Sequence, residues 1–457
     1  MTSELPKTSV SEALAHKIVA LRSGVLPPAT TRKCEDLLID VAGLCVTARN
    51  EDYVASALAG WDDDGPCTVI GHKRTLTASG AAFVNGTAAH GEDFDDTFEG
   101  GPVHAGAVIV PAVLAAGERH NPDGRMALIG IAVGTEVLCR LSLVVPKAVH
   151  KAGFHPTAIF GAMGAAAGVG VALGLDARQI VDALGIAGSM AGGIIEYLAE
   201  GAWTKRLHAG WAAQSGIRAA LLAKQGFVGP RTVFEGVHGL FHGFAHTNEG
   251  DYEALIGDFG HRWVTDTLAF KPYPCGTMAQ PYIDCARRLA ARGIKPEDVA
   301  EIVCEVAEGT VHRLWEPLAD KQRPRNGYAA KFATPYLLAT GFVHGGVGLG
   351  AFTETAISDA RVLALAARVK FVIDPDNPYP ANYTGHIRAT IKDGSVIEER
   401  QPYLRGGAQE PLARQDVTDK FRLNTQHGGW DDAQSDVTLK LLAGLYQGRI
   451  DLSALRR

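Results

Sequence analysis

The stretch GFHPTAIFGAMGAAAGVGVALGLD, residues 153–176, decides how the rest of the chain is read. Small residues recur in it at roughly helical spacing, and small side chains let helix backbones approach closely. The simplest reading is a helix packed deep inside a tightly crossed helical core. Its apolar part, Ala158–Leu175, is too rich in Gly and Ala to favour a bilayer span. Its opening carries His155 between an aromatic residue and Pro156. A histidine there is either a satisfied core residue or an imidazole held neutral by the positive end of the helix dipole.

Outward from this stretch the same texture continues at Ile180–Gly193 and Ala209–Gln225. Met1–Ala20 reads as an amphipathic helix, not a secretory signal. To about residue 265 the pattern is helical, punctuated at Pro27–Pro28, Pro122–Gly124 and Gly226–Pro230. The character then changes. IVCEV (302–306) and VKFVI (369–373) are β-branched runs, and His386–Ile391, Asp393–Gly394 and Ser395–Glu398 read as strand, turn and strand. Helices are expected between them at Ala279–Ala291 and Ala329–Ala339, and again over Asp416–Leu455. The fold class expected is mainly α with a smaller α+β lid: an all-helical domain from 1–267 plus 409–457, and a lid over 268–408.

Bulk properties narrow the function. The chain has 457 residues, a formal net charge of −6 and no basic stripe, so nucleic acid is not the expected partner. Its seven cysteines are scattered without a C-x-x-C pair, which suits reduced thiols in the cytoplasm and offers no zinc or iron–sulfur spacing. Four segments carry chemistry. Between Asn85 and Pro111, Glu92, Asp93, Asp95 and Asp96 crowd together, followed by Thr97, Glu99 and His104. Such a cluster is costly unless cations, a metal or a helix N-terminus neutralise it. GFHPT at 153–157 is the second. In EGAWTKRLHAG, residues 200–210, Lys205, Arg206 and His208 lead into a small-residue helix, so at least one cation is expected to face an acid. FKPYPCGTMAQPYID, residues 270–284, sets Lys271 at the start of the second lobe.

Taken together, these segments resemble the MmgE/PrpD family, which contains 2-methylcitrate dehydratase, cis-aconitate decarboxylase and iminodisuccinate epimerase. The motifs run co-linearly: HGEDFDDT (90–97), His104, GFHPT (153–157), EGAWTKRLHAGWAAQSG (200–216), GFVGP (226–230), KPYP (271–274), AAKF (329–332), KDG (392–394) and PLARQDVTDKF (411–421). The resemblance implies a metal-independent, cofactor-free homodimer acting on a small polycarboxylate. By motif position it implies catalytic Asp93, His104, His155 and Lys205, with Thr97, Lys271, His208 and Gln280 binding substrate. The function expected is a dehydratase-like lyase abstracting a proton alpha to a carboxylate. An epimerase of an iminodisuccinate-like substrate or a cis-aconitate-type decarboxylase is the alternative. Two departures bear on the substrate: where the family usually reads H-P-x-x-H-P-S, this chain has EGGPVHAG (99–106), and Gln280 replaces a common histidine. A metal-dependent hydrolase using the 92–104 acids and a non-catalytic binding protein are the other classes considered.

Overall fold

In the computed structural model the described residues are 8–101 and 103–457. The chain divides into two compact units, Met1–Leu268 with Ala413–Arg457, and Ala269–Leu412. The principal helices of the first unit are α1 (Val10–Leu21), α2 (Pro28–Ala48), α3 (Ala78–Gly91), α4 (Gly106–His120), α5 (Gly124–Val144), α6 (Pro156–Ala172), α7 (Ala177–Met190) and α8 (Thr204–Lys224). The helix expected from Met1 begins at Val10, where Ser9 and Glu12 exchange hydrogen bonds as a capping box; residues 1–7 of that expectation lie outside the described residues.

The 153–176 stretch forms α6, and every residue of that helix is buried. Glycines set how closely its neighbours come. A Cβ on Gly168 would stand 2.6 Å from the Gly130 carbonyl of α5, and one on Gly164 2.6 Å from the Gly134 carbonyl. On the other side, Gly216 of α8 packs on Ala165 and Ala166. Helix α8 also crosses α3 at a glycine pair, where a Cβ on Gly86 would meet the Gly210 Cα at 2.7 Å. That crossing brings the last turn of α3 beside the first turns of α8.

Among the described residues, the helix long and apolar enough to cross a membrane is α5, not the stretch that the sequence singled out. It is a core helix all the same: 89% of its most apolar window is buried. It carries an internal ion pair, Arg140 Nε to Glu136 at 2.6 Å, and the Glu136 carboxylate also accepts from the Val264 and Thr265 backbone N–H groups. A buried charge pair with its remaining valences satisfied suits a protein interior.

In the second unit, α9 (Gln280–Ala291) packs on a four-stranded sheet of order β2-β1-β3-β4, and α10 (Thr334–His344) packs on α9. The strands are β1 (Val299–Val306), β2 (Val369–Ile373), β3 (Gly385–Ile391) and β4 (Val396–Gln401). β2 runs parallel to β1, while β3 is antiparallel to both β1 and β4. The β3–β4 hairpin turns at Asp393–Gly394, with Gly394 at φ +91° and Asp393 accepting from Ser395 N–H. One expected helix is broken: Ala329–Ala339 divides into Gly327–Ala330 and α10. Pro335 in the first turn of α10 starts a new helix in place of continuing the old one. Beyond this unit the chain returns to the first as α11 (Arg414–His427) and α12 (Asp432–Gly444). Helix α11 lies on α2, where Gly43 faces Phe421 and Thr47 Oγ1 donates to the Asn424 carbonyl. All seven cysteines are buried.

Candidate active site

Helix α3 ends at Gly91, and the acidic cluster follows as a tight loop to the short strand Thr97–Phe98. Each acid has its own hydrogen-bonding partner. Asp93, held at φ +55°, forms an ion pair with Lys205 of α8. Asp95 accepts from His90 Nδ1 at 2.6 Å. Asp96 accepts from the Ala105 and Gly106 N–H groups at 3.0 and 2.9 Å, at the N-terminus of α4. Glu92 accepts from the Tyr53 hydroxyl at 3.1 Å, and Arg206 lies over that tyrosine ring. The loop is fastened from the far end of the chain, because Lys420 of α11 donates to the Phe94 carbonyl and pairs with Asp40, each at 2.7 Å.

These restraints gather four imidazoles. The His90 ring lies 5.0 Å from His104 and 5.6 Å from His155, and His155 lies 5.2 Å from His208. Tyr197 stands edge-on to both His155 and His208. His104 is placed from two sides: its backbone N–H donates to Thr157 Oγ1 at 3.2 Å, and its Nδ1 donates to the Asp96 carbonyl at 2.7 Å. His155 is the N-cap of α6 and donates its backbone N–H to the Gly193 carbonyl.

Burial sets the protonation of this cluster. It drives His155 well below its ordinary range, helped by neighbouring His90, His208, Lys205 and His104. It pushes His208 down to about 3, with His90 and Lys205 adding to the effect. It raises Asp96 to about 7, reinforced by Asp95 and Asp40 and opposed by the Gly106 and Ala105 N–H groups. Neutral imidazoles therefore stand beside a fixed lysine, which is a base and a cation within one buried site. His90, Asp95 and His104 also place donor atoms within 4.8 Å of one another, close enough for a cation. Two of those side chains already serve each other through the His90–Asp95 bond, and His104 Nδ1 is committed to a carbonyl.

The MmgE/PrpD N-terminal domain matches residues 12–253, and the C-terminal domain of the same family matches residues 273–442. The chain belongs to the MmgE/PrpD family. It is 29% identical over 445 residues to the cis-aconitate decarboxylase of Homo sapiens, covering 93% of this chain and 90% of that one. It is 25% identical over 448 residues to a cis-aconitate decarboxylase-like protein of Aspergillus oryzae, covering 92% of each. A mitochondrial 2-methylcitrate dehydratase of Yarrowia lipolytica is 26% identical over 207 residues, covering 42% of this chain and 38% of that one. The chain is accordingly an enzyme of the MmgE/PrpD family.

Of the site residues expected for an MmgE/PrpD enzyme, the first unit brings together Asp93, His104, His155, Lys205 and His208. Thr97 is buried in the strand that follows the acids. Lys271 and Gln280 belong to the second unit, and both are buried. There the Gln280 amide donates to the Tyr273 and Cys275 carbonyls, holding the turn that follows Lys271. His90 and Tyr197 join the cluster without having been singled out, and so does Asp95, noted only as one of the crowded acids and given no role. His90 and Asp95 were both in view within HGEDFDDT, but nothing in that string pairs them; the fold does. In the departure segment, residues 99–101 form a turn in which Glu99 is half-buried, Phe98 and Val103 bridge, and Gly106 already opens α4; Pro102 lies outside the described residues.

Proposed function

We propose that this MmgE/PrpD enzyme is a metal- and cofactor-independent lyase that moves a proton at a carbon next to a carboxylate of a small di- or tricarboxylic acid. The observation that carries the proposal is the neutral His155 within a buried imidazole cluster, beside the Lys205–Asp93 pair. Protons next to a carboxylate are poorly acidic, so the developing charge needs fixed cations or donors in a dry site. One such donor is typically worth about 3–4 kcal/mol of barrier. Lys205 supplies the charge, His155 and His104 supply proton transfer, and Asp93 orients Lys205. The relatives aligned along nearly their whole length carry decarboxylase names, so loss of CO₂ from a cis-aconitate-like substrate is the first reaction to test. Dehydration of a 2-methylcitrate-like substrate is the second, on the strength of the shorter match.

The deciding experiment is proton NMR of chelator-treated enzyme in D₂O with cis-aconitate, 2-methylcitrate and iminodisuccinate supplied separately. The expected result is loss or exchange of a carbon-bound proton in one of them, abolished by Lys205→Ala. The product identifies decarboxylation, dehydration or epimerisation. Binding without any proton change across the three acids would overturn the lyase reading. Turnover that vanishes on chelation and returns with a divalent cation would overturn its metal independence.

A further inference from the structure

His155 and His208 face each other through the same ring position. Their Nδ1 atoms lie 3.1 Å apart, and both side chains are buried. Two lone pairs at that distance repel, so one proton must lie between the nitrogens. With Nδ1 engaged, the nitrogen that His155 has left for a substrate is Nε2. The pairing is built into the backbone. The Gly193 carbonyl holds the His155 N–H at 2.9 Å, and the same glycine, at φ +145°, lies against the His208 ring. A Cβ on Gly193 would approach Cδ2 and Cε1 of that ring to 3.3 Å.

We propose that His155 and His208 act as a two-ring proton relay, with His208 the positioning residue that lets His155 serve as base and acid without becoming charged. The proposal rests on the lyase reading above. In the base stroke, His155 Nε2 takes the substrate proton while its Nδ1 proton passes to His208 Nδ1, and His208 Nε2 releases its own proton to water. In the acid stroke each transfer runs in reverse. Every ring begins and ends each stroke with one proton, so no imidazolium forms, and the one charge that the base stroke leaves in the site is the negative charge on the substrate. The surroundings favour such a device. His155 sits among His90, His104 and Lys205, and Lys205 also acts on His208, so a stored imidazolium would face both desolvation and like charge. Asp93 is paired with Lys205 and Asp95 with His90, which leaves these carboxylates committed elsewhere.

The test combines ¹⁵N NMR of histidine-labelled enzyme with turnover in H₂O–D₂O mixtures, for wild type and His208→Asn. Asparagine keeps a hydrogen-bonding atom near the Nδ1 position but passes no proton. The expected substrate-free spectrum of the wild type shows one ring of the pair protonated at Nδ1, the other at Nε2, and no imidazolium of either at pH 7. On whichever acid the wild type turns over, His208→Asn should lower kcat about 100-fold or more, the range of general acid–base effects, with KM nearly unchanged. The wild-type rate should curve with deuterium fraction, as expected for several protons in flight, and the variant's should not. Two Nε2–H rings, an imidazolium at pH 7, or an undiminished kcat in His208→Asn would each overturn the relay. A wild type inert toward every polycarboxylate would sink the lyase reading alone, because the spectrum needs no substrate.

Discussion

Lys205 and Asp93 are largely shielded from water, with side-chain exposures of 12% and 5%, and they pair with each other. Removing one partner of such a pair strands the other, at a cost of about 3–5 kcal/mol. Lys205→Met should therefore lower unfolding stability by roughly that amount in a denaturant titration, and Lys205→Met/Asp93→Asn should recover part of it while turnover stays abolished. A double variant no more stable than the single one would show that the pair serves chemistry and not the fold. At this scale the sequence was informative about charge and less so about partners. The acids of 92–96 announced themselves by crowding, and Lys205 by its company, since a cation entering a small-residue helix had to face something acidic. His90 gave no such sign: it sits between Ala89 and Gly91 in a buried turn of α3, and only the fold shows its Nδ1 bonded to Asp95.

The close approach of α3 to α8 places His90 and His208 in one cluster, and glycine makes that approach possible. Gly210 lies against the Phe83 carbonyl, with no room for a Cβ. Gly210→Ala should cost about 1–3 kcal/mol by overpacking and should also lower turnover as the helices shift. Gly243→Ala provides the control: it lies in the helix Leu240–Ala245, nothing stands within 4 Å of its added Cβ, and alanine is the better helix former by about 0.8–1 kcal/mol. Equal melting temperatures for the two variants would contradict the argument. The elements themselves were largely legible. Helical spacing of small residues marked α6, α7 and α8, and Asp393–Gly394 between alternating runs marked the β3–β4 hairpin. What pattern alone did not place was the break before Pro335, because Ala329–Ala339 keeps one apolar texture across two helices. Nor did it show that α5 is the most apolar long helix, since its Glu136–Arg140 pair interrupts the run.

For the molecule as a whole, the buried histidines tie stability to pH. His208 titrates near 6.5 in the unfolded chain and about 3 in the folded one, so unfolding takes up a proton as pH falls through this window. Its contribution to stability is present above about 6.5 and lost progressively toward 3. Asp96 works in the opposite sense: raised from 3.8 to about 7, it favours the folded state fully below 3.8 and loses that contribution as pH rises through 7. The clean measurement is a difference. Between pH 6 and 4.5, unfolding stability of His208→Asn should fall less steeply than that of wild type by about 1.4 kcal/mol per pH unit, one proton's worth. Parallel curves would mean that His208 is not held neutral.

The fastening of the acidic loop by Lys420 has a consequence for how the protein is made. The bond joins residues 326 positions apart, and at usual translation speeds that separation takes roughly 16–65 seconds to synthesise. Until α11 leaves the ribosome, the nascent chain holds its histidines and acids without the lysine that anchors them. Alignment of the acidic loop therefore waits for α11, and a polypeptide released before that helix carries the chemistry's residues but not the lysine that holds them in place.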